Sequence, residues 1–95
     1  MTTKTLSIII GGSSGMGLEV ARRLAKQGSD LLLVAKSEAG LKTASEELSL
    51  AGVNIDTISM DLYNKDELSK LILRIEEETR DIKNLINSAG FFKPV

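Results

Sequence analysis

Between an apolar, β-branched run and a helix-patterned segment stand Gly11-Gly12-Ser13-Ser14-Gly15-Met16-Gly17, four glycines in seven residues. Glycine takes backbone angles that other residues avoid, and it lets main-chain N–H groups reach a ligand with no Cβ in the way. A helix that starts here presents unpaired N–H groups and a partial positive charge, and both favour phosphate. Ser13 and Ser14 add hydroxyl donors. A glycine-rich connection without a ligand is the plain alternative, and the strand before and helix after weigh against it.

Three motifs compete for these residues. Gly12 and Gly17 have the spacing of a nucleoside-triphosphate loop, but Leu18-Glu19 follow where that loop needs Lys and then Ser or Thr. Gly11 to Gly15 also fits G-x-S-x-G, the nucleophile elbow of hydrolases. A serine there needs a histidine base, and the chain has no histidine, which excludes a hydrolase acting alone. What remains is dinucleotide binding, with the spacing G-G-x-x-G-x-G in place of G-x-G-x-x-G. The absence of cysteine excludes disulfide scaffolds, thiolate zinc sites and thiol nucleophiles. No metal site is expected. A formal charge of −1 predicts no bulk attraction to nucleic acid or to an anionic membrane. The apolar run that ends at Ile10 is too short for a signal peptide or a membrane span, so the expected setting is cytoplasmic.

The elements that must position the turn follow from periodicity. Ninety-five residues suit one small domain, 1–95, and with three aromatics its core must be aliphatic. Leu6 to Ile10 and Leu31 to Ala35 are continuous apolar runs, as in strands buried on both faces. Gly15 to Gln27 carries Val20, Ala21, Leu24 and Ala25 on one helical face. Ser37 caps a second helix, whose stripe of Leu41, Ala44, Leu48 and Ala51 ends at Gly52. Val53 to Ser59 alternates, with Val53, Ile55 and Thr57 on one face, and reads as an edge strand with a wetter side. Asn64 and Glu67 resemble a capping box for a third helix with a buried stripe of Leu68, Leu71, Ile72 and Ile75. Glu76-Glu77-Glu78 reads as its solvated end, and Lys83 to Ser88 as a fourth strand. The order β-α-β-α-β-α-β predicts an α/β fold with a doubly wound parallel sheet, strand order 3-2-1-4. The glycine turn then sits where the winding reverses, which is where such sheets bind ligands.

The glycine turn resembles the T-G-x-x-x-G-x-G turn of the short-chain dehydrogenase/reductase family, with Gly11 in place of Thr. Asp61-Leu62 resembles that family's acidic position against the adenine ring. Asn87-Ser88-Ala89-Gly90 resembles its N-N-A-G segment, which steadies the sheet and lines the cofactor, with Ser88 replacing the second Asn. The resemblance covers essentially the whole chain and the amino-terminal portion of a typical member. It implies a Rossmann-type fold, oxidoreductase activity, and a nicotinamide dinucleotide held by Gly11, Gly12, Ser13, Ser14, Gly15, Met16, Gly17, Asp61, Leu62, Asn87, Ser88, Ala89 and Gly90. Asp61 also reads as a turn residue. An acid at the end of the second strand would select NAD(H), whereas this strand ends in Lys36-Ser37. Family members with a basic residue here tend to use NADP(H), so Lys36 and Ser37 favour NADP(H) and leave NAD(H) open; Lys36 also reads as a solvated lysine.

The family transfers hydride with a Ser and a Y-x-x-x-K pair placed well after N-N-A-G. The one tyrosine here, Tyr63, has Glu67 four residues on, so no catalytic residue is assigned. The expectation is the cofactor-binding portion of a longer reductase. The alternative is a non-catalytic dinucleotide sensor or interaction module. An unpaired outer edge on the fourth strand predicts cover by a partner chain or a second copy.

Overall fold

The computed structural model describes residues 5–11, 15–61 and 63–87. Four parallel strands form one sheet in the order β3-β2-β1-β4: β1 (Thr5–Ile10), β2 (Asp30–Ala35), β3 (Ile55–Ser59) and β4 (Asp81–Asn87). Between them run the helices α1 (Gly15–Lys26), α2 (Glu38–Leu48) and α3 (Lys65–Glu76). Parallel neighbours need crossovers, and each helix supplies one. All six residues of β2 are buried, as its unbroken apolar run requires. The predicted strand order is the observed one.

The sheet separates two apolar clusters. On one face Ile9, Leu31 and Leu33 pack with Ala21 and Ala25 of α1 and with Leu41, Ala44 and Leu48 of α2. On the other, Leu6, Ile8, Leu32 and Val34 pack with Met60 and with Leu71 of α3. The fully buried leucines Leu31, Leu32 and Leu33 contribute roughly 1.5–3 kcal/mol each. The two small residues of α1 let its axis lie close to the sheet.

Several expectations need correction. α2 stops at Leu48, and Ser49–Ala51 tighten into a 3-10 turn that leaves Ala51 exposed. β3 begins at Ile55, because Asn54 spends its backbone on β2's start: its N–H donates to the Asp30 carboxylate and its C=O accepts from Leu31. Nor does β3 have one buried face. Ile55 packs on the α1–α2 side and Ile58 on the α3 side, while Thr57 is exposed. Ile72 is 49% exposed, so the buried line of α3 runs through Leu68, Leu71 and Ile75. β4 starts two residues before Lys83 and carries a register shift opposite Leu6 and Ser7. Its Ile82 and Leu85 are exposed.

Glu78 is no solvated helix end. Its side chain is 5% exposed, gripped by Arg74 at 2.8 Å and Arg80 at 2.7 Å. Arg80 also reaches the buried Asp30 at 3.0 Å and Asp56 at 3.3 Å. This cluster ties α3's end, β2, β3 and β4 together at the amino edge of the sheet. Arg80's side chain, then its backbone N–H, then Arg74 hold the Glu78 carboxyl well below the usual carboxylate range.

Candidate functional site

Of the residues singled out in the sequence, Gly11, Lys36 and Asn87 lie at the opposite, carboxyl edge, where they follow or close β1, β2 and β4. Ile10 stands opposite Val34 on β2 and opposite Asn87 on β4, and Ala35 stands opposite Ser59 on β3. The ends of all four strands therefore meet at one rim, with Gly11 directly after β1.

Gly11 leaves β1 with φ +86°, a left-handed conformation that glycine adopts without strain. Its N–H donates to the Val34 carbonyl at 2.6 Å, so the turn stays fastened to β2 as it departs. Gly15 opens α1 with φ +56°, and a Cβ placed there would meet nothing within 4 Å. Gly17 is buried, while Met16 is 78% exposed. Gly12, Ser13, Ser14, Leu62, Ser88, Ala89 and Gly90 lie outside the described residues.

At the end of β2, Lys36 is exposed, and its carbonyl accepts from Ser59 Oγ at 2.8 Å. Ser37 caps α2: its Oγ accepts from the Gly40 N–H at 3.0 Å. That role uses a lone pair of the hydroxyl and not its proton. Asp61, half-buried past β3, forms the turn before α3. Its Oδ1 accepts from the Tyr63 N–H at 3.0 Å and its C=O from the Asn64 N–H. Asn64 caps α3 by accepting from the N–H groups of Asp66 and Glu67. Glu67 does not complete a capping box on Asn64; it accepts from the Asp61 N–H at 2.6 Å. The box is opened backwards by three residues, and the acid that sequence assigned to the cap instead steadies Asp61.

Two clefts flank the end of β3, and sequence gave no sign of either. One, of about 420 Å³, lies between β3 and α2 and is lined by Glu38, Leu41, Lys42, Ser45, Thr57 and Ser59. The other, of about 220 Å³, lies between β3 and α3 and includes Ser59, Met60, Glu67 and Lys70. Neither is lined by the described glycines, and both depend on pairing that periodicity does not reveal. Ser59 was missed as well, since its bond to Lys36 becomes visible only through strand register.

Lys36 places an exposed cation at the end of β2, the strand next to the one that Gly11 follows. Among the described residues no group of three or more acidic side chains could hold a metal ion. No described helix is long and apolar enough to cross a membrane.

The family profile described as short chain dehydrogenase matches residues 5–95. A putative ketoacyl reductase of Streptomyces coelicolor is 36% identical over 85 residues, which are 90% of this chain and 33% of that protein. The chain thus spans about a third of that curated relative. Among solved structures, the bulky-bulky ketone specific alcohol dehydrogenase from Comamonas testosteroni superposes with a TM-score of 0.87 at 33% identity, covering 98% of this chain and 38% of the other. A short-chain dehydrogenase from Sphingobium yanoikuyae in complex with NADPH gives a TM-score of 0.84 at 34% identity, covering 97% and 36%.

Proposed function

The chain belongs to the short-chain dehydrogenase family, and from that premise we propose that it supplies the NADP(H)-binding portion of an oxidoreductase acting on a carbonyl or alcohol substrate. The observation that carries the reading is the pair of positive-φ glycines, Gly11 and Gly15, between the end of β1 and the start of α1. Gly11 directly follows β1, the strand at which the sheet's winding reverses. A pyrophosphate would lie against the main-chain N–H groups of Gly12 to Gly15, with the Ser13 and Ser14 hydroxyls as further donors. Lys36 would face a 2′-phosphate, and the Ser37 hydroxyl could donate to it while still capping α2. Asp61 and Leu62 would border the adenine, and Asn87 to Gly90 the nicotinamide side. The residues fit the group: Gly11 and Gly15 take positive φ between β1 and α1, and no acid occupies the end of β2, where one would repel a phosphate. The NADPH held by the Sphingobium relative supports the same choice.

Bound nicotinamide supplies hydride chemistry, and the residues of this chain grip and orient it. The substrate class is supported by the names of the two relatives that act on ketones or ketoacyl groups. Calorimetry with NADPH and NADH tests the assignment. The chain should prefer NADPH, and Lys36→Asp should reduce that preference about tenfold or more, since a unit charge opposite a phosphate is reversed. An unchanged ratio refutes the role of Lys36.

A further inference from the structure

The register of β4 on β1 changes partway along. Thr5 pairs with Asp81 and Leu6 with Ile82, an offset of 81 − 5 = 76. From Ser7, which pairs with Asn84, to Ile10, which pairs with Asn87, the offset is 84 − 7 = 77. Lys83 is therefore the extra residue of a β-bulge. At that step sits the one polar residue in an otherwise apolar stretch of β1, Ser7, which is fully buried. Asn84 Nδ2 donates to Ser7 Oγ at 3.1 Å. Ser7 and Ser29 share a hydrogen bond of 2.9 Å, and Ser29 donates to the Asp30 carbonyl at 3.0 Å. The hydroxyls satisfy a single polarity, from Asn84 through Ser7 and Ser29 to the backbone of β2.

We infer that this Asn84–Ser7 hydrogen bond is the pin that fixes the bulge at Lys83, and so sets the height and facing of Asn87 at the glycine rim. The inference rests on the dinucleotide reading above for its functional consequence, and on register alone for its structural one. Apolar patterning is a weak guide here, because Ile82 and Leu85 are exposed in the native register. Polar matching decides instead. Without the bulge, the offset of 76 would put Lys83 opposite Ser7 and Ile86 opposite Ile10. The buried hydroxyl would then face a lysine that sits on the surface in the native register. Asn87 would move about 3.3 Å along the strand and turn to the opposite face, since strand side chains alternate. In the native register it shares the level of Ile10, which packs on the α3 side. Ser7 and Asn84 are thus positioning residues that act through Asn87.

The test uses this chain isotopically labelled, with nuclear Overhauser contacts between β1 and β4 as one readout and calorimetry with NADPH as the other. Asn84→Ala and Ser7→Val should replace the Ile10–Asn87 contacts with Ile10–Ile86 and weaken NADPH about tenfold or more. Ser7→Thr has the shape of Ser7→Val but keeps a hydroxyl, and it should restore both readouts. Native Ile10–Asn87 contacts in both Asn84→Ala and Ser7→Val overturn the pin. A shifted register with undiminished NADPH affinity overturns its link to the site. If the unaltered chain binds no NADPH, the functional reading of the preceding subsection fails, and the strand contacts still decide the pin.

Discussion

Replacing Arg80 with methionine removes the centre of the ionic cluster while keeping much of the side chain's volume. Arg80 is the group that bridges Glu78, Asp30 and Asp56, through contacts of 2.7, 3.0 and 3.3 Å. Asp56 is half exposed, and its share is worth at most about 1 kcal/mol. Asp30 and Glu78 are 2% and 5% exposed, and stripping the cation from buried carboxylates costs about 3–5 kcal/mol. The Asn54 N–H still serves Asp30, and Arg74 still serves Glu78, which places the loss near the lower end, about 3 kcal/mol. For a chain of this size that lowers the melting temperature by roughly 12–24 °C. Urea unfolding followed by far-ultraviolet circular dichroism measures it at neutral pH. The loss should also depend on pH. The folded chain holds the Glu78 carboxyl below its ordinary value, chiefly through Arg80. Its contribution is therefore complete above the ordinary carboxylate range, near about 4.3, and drains away as pH falls towards the folded value. The gap between Arg80→Met and the unaltered chain should narrow below about pH 4. A neutral-pH loss under about 0.5 kcal/mol, or a gap that widens in acid, refutes the reasoning.

Two further substitutions separate scaffold from site. Asn64→Ala removes the cap that accepts from Asp66 and Glu67 and should cost about 1 kcal/mol in urea unfolding, with the sheet unchanged. Gly12→Val sets a branched side chain where pyrophosphate is proposed to approach. It should abolish NADPH binding by calorimetry while the helical circular dichroism signal largely remains; retained affinity would exclude that approach.

Much of the architecture was legible because period and burial coincide. Leu31 to Ala35 is apolar at every position, and β2 is buried at every position. Two central-looking strands and a poorer third favour the order 3-2-1-4, which is the observed one. What escaped was set by contacts distant in sequence. Glu78 lies in an acidic run that resembles any solvated helix end, until Arg80 folds back over it. Ile72 follows Leu68 at helical spacing, but spacing does not give the width of the arc that a helix buries, and this one is narrow. The bulge at Lys83 leaves no local mark, because it is imposed by one serine on a strand some seventy residues earlier. At the site, the glycines, Lys36 and Asn87 could be placed at strand ends from sequence. The clefts beside β3, the Ser59–Lys36 bond and the use of Glu67 on Asp61 could not, since each joins elements whose relative register no periodicity records.

A crystal structure of the chain grown with saturating NADPH tests the central claim most directly. The account predicts density for the pyrophosphate against the main-chain amides between Gly12 and Gly15, with the 2′-phosphate beside Lys36. A rim left empty at saturation, or filled by the protein's own side chains, would contradict it.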